Sequence, residues 1–144
     1  MSVTLDANLL LYASDESSPF YVRAGRLLEE LAAGPAIVYL FWPTVMAYLR
    51  LATHPAVFDR PLTPEDANAN VERLLARPHV QTPGEQDRFW RVYRGTADDV
   101  GARGNLVPDV HLVSLMIQNG VRAIWTHDRD YRKFKGIEVR DPFG

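Results

Sequence analysis

Short apolar runs rich in β-forming residues alternate along this chain with longer stretches whose apolar residues recur at helical spacing. Ser2-Val3-Thr4-Leu5 predicts a buried strand that halts at Asp6-Ala7-Asn8, after which Leu9, Leu10, Leu11, Tyr12 and Ala13 favour a helix. From Ser18-Pro19 onward, Tyr21, Ala24, Leu27, Leu28 and Leu31 keep a helical period until Gly34-Pro35 closes it, and Ala36 to Tyr39 predicts a second strand. Trp42-Pro43-Thr44 opens another helix, with Val45, Leu49 and Ala52 as one stripe. His54-Pro55 ends it, because proline lacks a donor and restricts the residue before it. Thr63-Pro64-Glu65-Asp66 supplies a cap, a proline at the first helical position and acids in the first turn, so a helix is expected from Thr63 to about Ala76.

In the second half, Val80-Gln81-Thr82 predicts a brief strand, and Gly84 to about Val100 a helix with Phe89, Val92 and Tyr93 inward. A loop over 101–105 leads to a helix from Pro108 to Asn119 that Gly120 closes. Arg122 to Trp125 predicts a strand ending at Thr126-His127-Asp128-Arg129-Asp130, followed by a short helix to about Phe134 and a last strand at Ile137-Glu138-Val139. Strands alternating with helices point to an α/β sandwich: a central, mostly parallel sheet covered on both faces. Ligands of such sheets bind at the carboxyl ends of the strands. Two of the predicted strands end directly on aspartates.

Length and composition narrow the picture further. A chain of 144 residues, 47% hydrophobic, buries one substantial core, so residues 1–144 are expected to form a single domain. No apolar run approaches the roughly 18 residues of a membrane span, and Asp6, Asn8 and Asp15 do not suit a secretory leader; a cytoplasmic location is expected. Cysteine is absent, which removes disulfides, thiolate metal sites and cysteine nucleophiles together. The net charge is only -2, yet all but two of the 16 basic residues are arginines, whose forked donors suit phosphate; a codon bias towards arginine would produce the same excess.

The candidate chemistry is acidic. Asp6 follows the first strand, Asp128 and Asp130 follow the Trp125 strand, and Asp109 opens a helix, so all four can meet at one edge of the sheet. Taken singly, each has a structural explanation as a turn, a helix cap or a dipole partner. Taken together, packed carboxylates repel and must either take up protons or neutralise a cation. An all-oxygen site suits Mg2+ or Mn2+, and phosphodiester hydrolysis is the chemistry such a site performs well. Arg129, Arg132, Lys133 and Lys135 follow directly and can hold a nucleic-acid backbone, although a solvated helix face would look the same. His111 and His127 are read as structural, since each is expected to point away from its neighbouring aspartate, and Trp42, Trp90 and Trp125 as core or dimer contacts.

These residues also resemble a known family. Val3-Thr4-Leu5-Asp6-Ala7-Asn8, Pro108-Asp109-Val110-His111-Leu112 and Trp125-Thr126-His127-Asp128-Arg129-Asp130-Tyr131 are similar to the opening, central and closing acidic motifs of PIN domains. Trp42-Pro43-Thr44, the run Leu49-Arg50-Leu51-Ala52-Thr53-His54-Pro55 and the glycine-rich run before Asp109 are most similar to actinobacterial VapC toxins. The resemblance implies a PIN-like three-layer α/β/α sandwich and a Mg2+- or Mn2+-dependent endoribonuclease. That enzyme would block translation by cutting tRNA, rRNA or mRNA, act as a homodimer and be restrained by a VapB-type antitoxin. It implies that Asp6, Asp109 and Asp128 are metal ligands, that Asp130 is a ligand or supports one, and that Asn8 and Thr126 orient the carboxylates.

One position departs from the family. Three residues before Arg50, where a glutamate usually stands, this chain has Ala47, which implies one strongly held ion and a second arriving with RNA. A degenerate PIN module that binds RNA or antitoxin without cutting is the alternative. A haloacid-dehalogenase-type phosphatase also begins with an aspartate after its first strand. It needs a second aspartate two residues on, where this chain has Asn8. An antitoxin tail is expected to place an arginine among the carboxylates and a hydrophobic helix in a groove near Ala24, Leu27 and Leu28.

Overall fold

The structure, a computed structural model, describes residues 1–144. Five strands, β1 (Ser2–Leu5), β2 (Ile37–Tyr39), β3 (Val80–Gln81), β4 (Ala123–Trp125) and β5 (Glu138–Arg140), form one sheet in the order β3-β2-β1-β4-β5. Every pairing is parallel, with Val3 beside Val38 and Leu5 beside Trp125. Parallel strands need crossovers, and the helices α1 (Ala7–Ser14), α2 (Tyr21–Ala33), α3 (Trp42–Ala52), α4 (Pro64–Leu75), α5 (Phe89–Val100) and α6 (Leu106–Gln118) supply them. Two apolar cores result. Val3, Leu5 and Val38 pack with Leu9 and Leu10 of α1, Val45 and Tyr48 of α3 and Val71 of α4, whereas Ile124 packs with Val110, Val113 and Met116 of α6 and with Phe134. The expected three-layer α/β/α sandwich is therefore present.

The chain builds outward from β1 through β2 to β3, then returns to the other side of β1 for β4 and β5. The order of the strands reverses between β1 and β4. Crevices at such a reversal, outside the carboxyl ends of the strands, are where open α/β sheets bind ligands. Because Leu5 and Trp125 are in register, the next residues on each strand, Asp6 and Thr126, emerge side by side at that crevice.

Local signals set most boundaries. Thr63 caps α4, its hydroxyl accepting the Asp66 N–H at 3.1 Å, with Pro64 behind it. The helix expected from Gly84 begins only at Phe89. Glu85 to Arg88 are exposed and offer no apolar face to bury, and α6 holds the segment by side chains instead: Gln118 bonds Gln86 N–H and Gly84 C=O, and His111 bonds Glu85. Helix α6 starts two residues earlier than expected, because Pro108 sits in a first turn where no N–H is required. The short helix expected after Asp128 is a 3-10 turn, Arg129–Lys133.

The apolar stripe of α2 is divided between core and cleft. Ala24 and Leu27 are buried in the core under α2 and line no open surface. A cleft of about 440 Å³ lies next to them, bounded by Tyr21, Gly25 and Leu28 of α2, Leu10 of α1 and Val71 of α4. Ala24 and Leu27 share a helical stripe with Leu28, but α2 turns that stripe partly into the core. Of the tryptophans read as core or dimer contacts, Trp42 and Trp90 are 41% and 63% exposed, so neither is a core residue and only the second alternative applies to them.

Candidate active site

Asp6 ends β1 and precedes α1 with extended backbone, and its N–H continues the ladder by donating to Trp125 C=O at 3.0 Å. Although it occupies the capping position, its carboxylate makes no capping bond. It accepts a hydrogen bond from Thr126 Oγ1 at 2.9 Å instead. The same hydroxyl accepts the Asp128 N–H at 2.9 Å, so buried Thr126 ties the ends of β1 and β4 together through one oxygen. Asp128 in turn caps the 3-10 turn, its Oδ1 accepting the Asp130 N–H at 2.9 Å. Asp109, in the first turn of α6, reaches the group from the other face of the sheet and accepts a hydrogen bond from the buried Tyr131 hydroxyl at 3.2 Å.

These carboxylates are electrostatically joined. Burial is the main cause that pushes the Asp6 carboxyl above its ordinary value; the Thr126 hydrogen bond opposes the shift and the Asp128 charge adds to it. Asp109 is raised by burial first, opposed by Tyr131, and raised further by Asp128, Asp6 and Asp130. Tyr131 is pushed far up by burial and by the same acids, so at neutral pH its hydroxyl remains a donor. No lysine or arginine forms an ion pair with any of the four aspartates. The crevice thus concentrates negative charge that the protein itself leaves unneutralised.

This donor set fits a hard divalent cation in its chemistry: oxygen only and partly dehydrated, with Asp6 and Asp109 both raised by burial first and then by the Asp128 charge. In this arrangement of side chains no three acidic or histidine groups lie together closely enough to hold an ion by themselves. Asp130 is exposed and contributes through its charge on Asp109. Asn8 makes no side-chain hydrogen bond to the aspartates; the backbone N–H groups of Ala7 and Asn8 only favour the charged form of Asp6. Tyr131 is the residue that sequence reasoning left without a role, and the aromatic position directly after Asp130 was its only signal.

The histidines stand apart from the carboxylates. His111 Nε2 lies 2.7 Å from Glu85 and His127 Nδ1 lies 2.9 Å from Asp141. Arg129, Arg132, Lys133 and Lys135 are all exposed and form no ion pair within the chain. Ala47 lies half-buried on α3, where its methyl group offers no ligand.

The raised acids carry a pH signature. A carboxyl whose folded value exceeds its unfolded one stabilises the fold below about 3.8, and that contribution is lost as pH rises through the raised values. In the presence of a chelator, Asp6→Asn is therefore expected to raise the thermal midpoint at neutral pH. The gain should vanish in acid, where the parent is protonated. A midpoint equal to the parent's at every pH would contradict this.

Comparison with known proteins places the arrangement. No protein-family model matches the chain. Ribonuclease VapC48 of Mycobacterium tuberculosis is 52% identical over 143 residues, covering 99% of both chains. The chain belongs to the VapC ribonuclease family. Among solved structures, the VapC fold of this chain superposes on VapBC2 from Rickettsia felis, bound there to a DNA fragment from its promoter. The TM-score is 0.69 at 14% identity, with 98% of each chain covered. It also superposes on Mycobacterium tuberculosis VapC20, a sarcin-ricin-loop-cleaving toxin, with a TM-score of 0.66 at 14% identity, covering 94% and 98% of the two chains. At such identities the two structures speak for the VapC fold alone.

Proposed function

We propose that this VapC ribonuclease is a metal-dependent endoribonuclease toxin whose centre is built from Asp6, Asp109 and Asp128, with Asp130 supporting them. The observation that carries the reading is the group of carboxylates without a basic partner at the point where the strand order reverses, of which Asp6 and Asp109 are held above their ordinary range. Asp6, Asp109 and Asp128 would hold Mg2+ or Mn2+, and the bound ion would supply a more acidic water and charge for the phosphoryl oxygens. Thr126 fixes Asp6 and the Asp128 backbone, and Tyr131 fixes Asp109. Arg129, Arg132 and Lys133, exposed just beyond Asp128, would meet the phosphates of an RNA strand. With Ala47 in place of a glutamate, the protein's own ligands suffice for one strongly held ion.

The same reading extends to partners. The whole chain would act as one PIN domain, with the cytoplasm as its place of action. A VapB-type antitoxin would set an apolar helix into the cleft beside Leu28 and an arginine among the carboxylates. Trp42 and Met46, exposed one turn apart on α3, support a homodimer.

Expression without antitoxin tests this. Growth arrest is expected from the parent and its relief from Asp6→Ala, with both proteins accumulating equally. An Asp6→Ala protein as toxic as the parent would show that cleavage at this centre is not the cause and would favour a module that only binds.

A further inference from the structure

Next to the carboxylates, four rings from separate parts of the chain form one cluster: Tyr12 on α1, Phe20 ahead of α2, His127 in the loop after β4, and Phe143 beyond β5. Phe20 and Phe143 stack with centroids 4.2 Å apart and planes at 18°. The His127 ring lies 5.0 Å from Phe20 and 5.3 Å from Phe143, and Tyr12 closes the cluster at 5.1 Å from Phe20 and 5.7 Å from Phe143. Three of these contacts are edge-on, the arrangement in which a positive ring rim meets a negative ring face.

Polar contacts lock the same junction. His127 Nδ1 lies 2.9 Å from Asp141 Oδ2, and since a carboxylate accepts, the ring nitrogen donates. Asp141 is itself held, its Oδ1 accepting the Phe143 N–H at 2.9 Å. One residue before the histidine, Thr126 N–H donates to Arg140 C=O at 2.9 Å. The segment Arg140 to Phe143 therefore grips the loop twice, once by backbone and once by a side chain.

His127 stands between the two residues that matter most for the centre's geometry. Thr126 before it presents its hydroxyl to Asp6, and Asp128 after it hangs its N–H on that same hydroxyl. A change in the His127 backbone would move both, while His127 makes no hydrogen bond to any of the four carboxylates. We propose that Asp141 and Phe143 are positioning residues that fix His127 and, through it, the Thr126–Asp128 backbone that aims Asp6 and Asp128 at the metal. This rests on the metal-centred reading above. Partners that orient a ligand from outside commonly change affinity or activity by roughly 10- to 100-fold when removed.

The experiment compares the full chain with Asp141→Ala, Phe143→Ala, His127→Asn and His127→Phe. Three readouts are taken: Mn2+ affinity by electron paramagnetic resonance, kcat and KM on RNA, and the thermal midpoint. Asp141→Ala is expected to weaken Mn2+ binding and lower kcat by roughly tenfold with KM unchanged. His127→Asn, whose amide can donate from near the place of Nδ1, should retain more affinity than His127→Phe, which keeps only the ring. If Asp141→Ala does not fold, Asp141→Asn keeps the shape and removes the charge, and the same direction of change is expected. A lower thermal midpoint with parent-like Mn2+ affinity and kcat would mean that the cluster is only packing, and would overturn the proposal. A parent that binds no Mn2+ would overturn the metal reading and this one with it, whereas a parent that binds beside unaffected variants would overturn this one alone.

Discussion

Asp109→Asn is expected to cleave RNA at least about a hundredfold more slowly than the parent while remaining folded, the scale on which one preorganised electrostatic contact acts in a transition state. The substitution is nearly isosteric. Its amide oxygen can still accept the Tyr131 hydroxyl, so the hydrogen bond that holds Asp109 at the mouth of α6 survives. What it removes is a charge, and Asp109 carries that charge against the repulsion of Asp128, Asp6 and Asp130 and against its own burial. Loss of activity with an equal or higher thermal midpoint would separate function from folding, since sites of this kind are held at a cost to stability. RNA cleavage rates and a melting curve on the same preparation decide it. Parent-like cleavage by Asp109→Asn would exclude a centre that depends on this carboxylate.

Thr126→Val should have the next largest effect, lowering metal affinity or cleavage roughly 10- to 100-fold although the residue contacts no substrate. Valine matches threonine in shape and suits a strand end, so packing among the buried neighbours is preserved. The change leaves Asp6 without its one side-chain donor and Asp128 N–H without its acceptor. Both losses fall on the same side of the centre. Thr126→Ser keeps the hydroxyl and is expected to retain most activity, and that contrast distinguishes the hydrogen bonds from mere bulk. Equal activity in the valine and serine variants would show that the bridge between β1 and β4 is not what orients the carboxylates.

The parts of the fold legible in the sequence are those set by local rules. The switch from period two to helical period at Asp6 marks a strand end whatever the tertiary context, and the register of Leu5 with Trp125 then makes the meeting of Asp6 and Thr126 a consequence of topology. The Thr63 cap was equally plain, because its partner lies three residues away. Contacts between distant segments were not. Tyr131 reads as one more core aromatic until α6 brings Asp109 to its hydroxyl, and nothing near Phe20 indicates that Phe143 will stack on it.

Helix α2 shows a further limit. Its stripe of Ala24, Leu27 and Leu28 is correctly apolar, but only the packing of α1 against it decides that the first two are core and the third lines a cleft. Residues 84–88 failed in the opposite way. Their composition tolerates a helix, but a helix there would have had no apolar face to bury, and side chains of α6 provide an alternative set of partners. Among the carboxylates, Asp6, Asp109 and Asp128 lie within electrostatic reach of one another without three of them converging, and Asn8 does not supply the expected side-chain hydrogen bond.

If the charge at the end of the sheet holds a divalent ion for RNA cleavage, titration of the purified, antitoxin-free protein with Mg2+ and Mn2+ by calorimetry will show it. Cleavage of total cellular RNA is followed in parallel, with Asp109→Ala as control. One strong site per chain is expected, with discrete cleavage that requires the ion and loss of both in the variant. Binding without cleavage would point to a module that only recognises its partners, and absence of binding would mean that the carboxylates at the end of the sheet are structural and hold no ion.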